Sequence, residues 1–169
     1  MTDFAESHPL LPEVLMYNSS RELIEALTGT PDILKTLLHA LTPEQARRMR
    51  GGDENWSVVE IVCHLRDTEE FALQRMRAIR DHNTPLLTGF DQEAWATERN
   101  YAAATLSKAF EAFLHQRTQH LAELKALSPQ QWERSGRHQQ HGLTTISNHT
   151  LHMVWHDAIH TAQIARQIL

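Results

Sequence analysis

A chain of 169 residues is a natural length for one domain and long enough to bury a core without disulfide help. Its formal net charge of −5 argues against a nucleic-acid partner, which calls for clustered Lys and Arg. The lone cysteine, Cys63, excludes an intrachain disulfide and suits a reducing, cytoplasmic setting. No apolar run approaches the roughly 20 residues of a membrane helix. Met1–Glu13 lacks the basic and long apolar regions of a signal peptide. Twelve histidines are the compositional outlier, and their placement decides what they mean.

Residues 1–18 read as an irregular N-terminal segment of a single domain spanning 1–169. From Ser19 or Ser20 to Leu41 the pattern is helical. Thr30-Pro31-Asp32 reads as a break, with Thr30 a fresh N-cap and Pro31 opening a second helix that runs to Leu41. Thr42-Pro43-Glu44-Gln45 is another start signal, for a short turn of helix. Arg47, Arg48 and Arg50 read as a solvated helix end, and Gly51–Asn55 as a loop. Ser57 and Glu60 form a capping box that opens the second long helix, which ends near Arg80 or Asp81. Val59, Val62, Leu65, Leu73 and Met76 are its apolar stripe, widened by Phe71 and Ile79.

Asp81–Asn100 reads as a long loop carrying Phe90 and Trp95, the kind of connection that forms a lid or site wall. The third long helix covers about Thr105–Leu127, with Leu106, Phe110, Phe113, Leu121 and Leu124 on its apolar face. Ser128-Pro129 starts a short turn, and Arg134–Gly142 reads as polar loop. The fourth long helix runs from Thr144 or Thr145 to Arg166. Glycine and proline fall between these segments. Four main helices with short accessory turns predict an all-α four-helix bundle.

The last helix carries His149, His152, His156 and His160 along one stripe. His156 and His160, one turn apart, share a face and can bind one divalent metal if a third ligand arrives from elsewhere. The H-E-x-x-H zinc-protease pattern fails at Asp157, one methylene too short to serve as that general base. A bundle-core metal site, with two ligands from one helix and one from another, fits better. His64 lies among Val59, Val62, Cys63 and Leu65. A buried histidine there needs partners for its ring nitrogens, supplied either by ordinary core hydrogen bonds or by a metal.

Trp56-Ser57-x-x-Glu60, His64-Leu65-x-Asp67-x-Glu69 and His156-Asp157-x-x-His160-x-x-Gln163-Ile164, in this order and spacing, resemble the DinB/YfiT-like superfamily. The resemblance covers the chain from about Leu23 to its end. It implies a four-helix bundle with a divalent metal held by His64, His156 and His160. The family includes thiol-dependent S-transferases and hydrolases, so the resemblance implies a small-molecule substrate, a low-molecular-weight thiol as one candidate partner, and a homodimer. Three imidazoles suit zinc, nickel and iron alike.

Around the triad, His152 is a candidate fourth ligand, proton shuttle or packed neighbour, and Asp67 a candidate base or ligand-orienting acid. His149 reads as a surface or helix-start residue, Cys63 as a small buried hydrophobe, and Trp56 and Trp155 as core aromatics. His115, His120, His138 and His141 fall on a polar face or in a loop. A metal ion held by three neutral ligands keeps its full charge and can activate a coordinated thiol or water. The expected activity is thiol S-transfer, the alternative hydrolysis. A non-catalytic stress protein that uses the metal to bind a ligand is the reading from another class.

Overall fold

The computed structural model describes residues 19–48 and 56–168. Four long helices dominate it: α1 (Ser20–Leu38), α3 (Val58–Asp81), α5 (Leu106–Ala126) and α7 (Ile146–Ile168). Between them lie the short helices α2 (Pro43–Arg47), α4 (Gln92–Glu98) and α6 (Pro129–Trp132). Capping boxes at Ser57/Glu60, Thr42/Gln45 and Ser128/Gln131 start α3, α2 and α6 where the sequence places them. The long helices pack as α1 on α7 and α5, and α3 on α5 and α7. Consecutive long helices α1 and α3 therefore sit across the bundle diagonal. Among the described residues no helix is long and apolar enough to cross a membrane. The predicted N-terminal segment and the Gly51–Asn55 loop lie outside the described residues.

Three predicted elements need correction. Helix α1 does not break at Thr30-Pro31 but runs through the proline. Proline has no N–H for the carbonyl of Leu27, four residues back, and an unmet buried carbonyl would be costly. Here the Arg117 guanidinium supplies the donor: Nη1 lies 2.9 Å from the Leu27 oxygen. Thr30 is not a cap but a buried residue whose hydroxyl donates to Asp157 at 2.7 Å.

The span 81–100 is not loop throughout. It holds the two-residue strand β1 (Leu86–Leu87) and then α4, capped by Asp91. A single turn of 3-10 helix, Tyr101–Ala103, follows. The polar stretch after α6 is a hairpin, β2 (Ser135–His138) with β3 (Gly142–Thr145), and β1 pairs with β2 in parallel. Gly142 closes the hairpin at φ +75°, where only glycine is unstrained. The bundle thus carries a small three-stranded sheet against one end.

The apolar core has two parts. One gathers Leu34, Leu38, Val59, Ile61, Val62, Leu65, Phe113 and Ile164, with Tyr101 and Cys63. The other gathers Leu23, Leu27, Leu73, Met76, Ile79, Leu124, Trp132, Ile146 and Met153. Between them runs a polar layer contributed by all four long helices. Arg117 on α5 is 1 % exposed and reaches Glu69 on α3 at 2.8 Å and Asp157 on α7 at 2.7 and 3.1 Å. His120 Nδ1 lies 2.9 Å from the other Glu69 oxygen. Burial alone would raise the Glu69 carboxyl, but Arg117 and His120 outweigh it and hold it at about 2. His120 is therefore no surface residue, and Asp157 is a buried carboxylate that ties α7 to α5 and α1.

Candidate metal centre

Helices α3 and α7 run antiparallel where they meet: His149 Nε2 lies 3.3 Å from the Ala72 carbonyl, and at the other end Gln167 Nε2 donates to the Trp56 carbonyl at 2.7 Å. Midway between these points, His64 faces His156 and His160. The Nε2 atoms of His64 and His156 approach to 2.9 Å. Ring centroids are 4.7 Å apart for His64 and His160, and 4.4 Å for His156 and His160. One ligand nitrogen from each of the three lies within 4.8 Å of the others. The structure brings together the three histidines that the sequence singles out.

Each ring is set by its surroundings. His64 is 2 % exposed, on a turn of α3 whose other faces carry Ile61, Val62 and Leu65. The Trp56 ring, 5.0 Å away, covers one side. Burial, reinforced by the His160 ring, pushes His64 down to about 3 against a smaller opposing effect of Asp67. Burial also pushes His156 well down, with His160 and His64 adding to it. Both rings are thus neutral at neutral pH, with lone pairs available. His160 donates from Nδ1 to Gln163 Oε1 at 2.6 Å, which makes Nε2 its acceptor nitrogen. Among themselves, His64 and His156 can share one hydrogen bond, and the Nδ1 atoms of both are buried without a protein partner. Three converging imidazoles, those of His64 and His156 held neutral by burial, with no acid between them form a poor hydrogen-bonding group but a good donor set for one divalent cation.

The neighbouring candidates fall differently. Asp67 is buried and engaged by Tyr101 Oη at 2.7 Å, by Arg66 at 2.6 and 3.0 Å, and by Arg99 at 3.0 Å. It fastens the segment after α4 to α3. The exposed His152 ring lies 6.3 Å from His156 and 5.8 Å from Trp155. Trp155 itself is 51 % exposed, so it is not a core aromatic, whereas Trp56 packs between His64 and Tyr101. His149 is buried, not superficial. Cys63 is fully buried, and burial raises its thiol to about 11, so it remains an inert hydrophobe.

A family model described as the DinB superfamily matches residues 26–164. The chain belongs to the DinB superfamily. Three relatives bear the name "Putative metal-dependent hydrolase", two from Oceanobacillus iheyensis and one from Bacillus subtilis. OB0782 of Oceanobacillus iheyensis is 28 % identical over 145 residues, covering 85 % of this chain and 82 % of its own. YfiT of Bacillus subtilis is 26 % identical over 142 residues, covering 83 % of this chain and 79 % of its own. The solved structure of Bacillus subtilis YfiT, described as an unusual four-helix bundle topology, superposes with a TM-score of 0.82 at 24 % identity, over 93 % of this chain and 90 % of that one.

The buried histidines impose a pH dependence on stability. His149, like His64, is pushed by burial to about 3, and His156 falls in the same direction. Unfolded histidines protonate near pH 6.5, so as pH drops below about 6.5 the unfolded chain binds protons that the folded chain refuses. Stability is full above that value and is lost on the way towards pH 3. With three such groups the steepest loss is about 4 kcal/mol per pH unit, at roughly 1.4 kcal/mol per proton. Urea unfolding of metal-free DinB-fold protein at stepped pH is expected to be flat above pH 7 and to weaken steeply below 6. A flat profile down to pH 5 contradicts the burial of these rings in the neutral form.

Proposed function

We propose that this DinB-superfamily protein is a metal-dependent enzyme in which His64, His156 and His160 hold one divalent ion beside a small-molecule substrate. The observation that carries this reading is the convergence of three histidines from two helices, with ligand nitrogens within 4.8 Å of one another. When bound, such an ion supplies Lewis acidity and makes a coordinated thiol or water a nucleophile near neutral pH. Gln163 orients His160, and Trp56 excludes water from one side of His64. Desolvation, with Arg75 and His141 nearby, lowers His152 and keeps its ring in the neutral form, a proton acceptor at the cluster's edge.

Thiol S-transfer is the first activity we propose. Asp67 is engaged by Tyr101 and two arginines, and Asp157, next to His156, by Arg117 and Thr30, so the site is short of a carboxylate base. Metal activation of a thiol needs none. Hydrolysis is the second reading, favoured by the names of the relatives, with His152 as the proton acceptor. Zinc-, nickel- and iron-loaded protein should be incubated with a low-molecular-weight thiol and a chloro-nitroaromatic electrophile, and separately with an ester and amide panel. Thiol-dependent turnover that disappears on chelation is expected. Turnover without thiol moves the assignment to hydrolysis. Metal uptake with no turnover of either kind moves it to a binding protein.

A further inference from the structure

The face of α3 that carries His64 continues through Thr68, Phe71 and Arg75, at intervals of four, three and four residues, so these side chains form one stripe. Two polar groups on this stripe lack partners. Thr68 is 6 % exposed, and its hydroxyl, which in a helix ordinarily returns to a backbone carbonyl, is buried without a hydrogen bond. Arg75 Nε is likewise buried without one. Arg21, Arg66, Arg77, Arg80, Arg99 and Arg117 each meet a carboxylate. Among the described residues Arg75 meets no carboxylate, and burial opposes its charge.

The Arg75 guanidinium is nevertheless fixed. It lies 4.2 Å above the centre of the Phe71 ring and donates from Nη2 to the Thr88 carbonyl. Phe71 in turn packs against Phe90 at 4.8 Å and Trp95 at 5.7 Å, so an aromatic wall borders the stripe. A half-buried, pre-oriented cation with a spare Nε–H suits a carboxylate, which an arginine fork binds through two parallel hydrogen bonds. Stacked on Phe71, seven residues beyond His64, the guanidinium lies roughly 10 Å along the helix from the histidine cluster, at 1.5 Å per residue.

We propose that Arg75 and Thr68 form a carboxylate-recognition subsite, and that the substrate is an elongated small molecule with a carboxylate about 10 Å from its reacting group and an apolar middle against Phe71, Phe90 and Trp95. The assignment rests on the proposed metal centre for its reacting end. Straight-chain dicarboxylates from malonate to azelate are a direct probe, since one carboxylate can reach the metal and the other Arg75. Titration calorimetry with zinc-loaded protein is expected to show affinity rising towards the longer members, above monocarboxylates of equal length. Arg75→Gln should weaken the best dicarboxylate at least tenfold while leaving zinc stoichiometry and acetate binding unchanged. Affinity independent of chain length, or an unchanged R75Q, overturns the subsite. If R75Q does not fold, Arg75→Lys replaces it: without the Nε donor a several-fold loss is expected, and an equal affinity overturns the subsite. Failure of the wild type to take up zinc refutes the metal centre instead. Octanoate binding to metal-free wild type and R75Q then decides Arg75 on its own, and equal binding overturns it.

Discussion

Replacing His64 with alanine is expected to weaken zinc binding by more than 100-fold and to remove most of the stabilisation by the metal. His64 is the sole donor that α3 contributes to the cluster, and the two histidines left on α7 cannot enclose an ion alone. A ligand-orienting residue such as Gln163 costs about 10–100-fold when lost, so a ligand itself must cost more. The wild type at zinc concentrations 100 times Kd should gain about 2.7 kcal/mol in unfolding free energy, and the variant less than about 0.4 kcal/mol. Metal-free stability should fall less than metal-bound stability, because the packing lost is partly offset by removing a buried ring nitrogen that has no protein partner. Metal content after dialysis and denaturant unfolding with and without zinc measure both effects. Gln163→Leu, intermediate between the two, serves as a graded control. If His64→Ala keeps one equivalent of zinc and the same stabilisation, the three histidines are a packing cluster and the proposed chemistry fails.

The four long helices and this cluster were legible in the sequence because both rest on strong local signals. Ser57/Glu60 announces α3 by a capping box, and His156/His160 announces itself by one-turn spacing. The sheet was not legible. Leu86–Leu87 is too short to show alternation, and Ser-Gly-Arg-His has no β-branched residue to mark β2. Its place is set by tertiary fit: a Cβ on Gly136 would come within 2.8 Å of Leu87. Pro31 misled for a related reason. Its local rule is to end a helix, and the donor that overrides the rule, Arg117, lies on another helix.

The polar layer was missed although its signal is present. On α3 the core stripe runs Leu65, Glu69, Ala72, Met76, and on α5 Phe113, Arg117, His120, Leu124, both at intervals of four, three and four. On α1 it runs Leu27, Thr30, Leu34, and on α7 Met153, Asp157, Ile164. Asp157 thus belongs to the core face of α7, where it meets Arg117 and Thr30. Polar residues that hold stripe positions on every helix at one level of a bundle mark a buried network, because none of them can turn to solvent without rotating its helix out of the core.

That network sets the second large effect. Arg117→Met is expected to lower stability by about 3–5 kcal/mol, as for other buried ion pairs broken on one side. For a chain of this size the unfolding temperature falls by roughly 10 °C. The methionine approximates the volume but strands Glu69 and Asp157 as buried carboxylates, and it leaves the Leu27 carbonyl beside Pro31 without a donor. The loss is then mainly one of uncompensated charge, which sets a sharper test than the single variant. Glu69→Gln, Arg117→Met and Asp157→Asn combined remove all three charges and should recover most of the stability, though the Leu27 carbonyl still lacks a donor. Urea unfolding at pH 7 compares the two. A single variant within about 1 kcal/mol of wild type, or a triple variant no more stable than the single, would mean that Arg117 is not the cation on which the layer depends. Because Asp157 adjoins His156, and Glu69 follows His64 by just over one turn, the same substitution should also loosen the α3–α7 spacing. Zinc affinity in Arg117→Met, measured where the variant is still folded, is therefore expected to fall while the three histidines themselves are untouched.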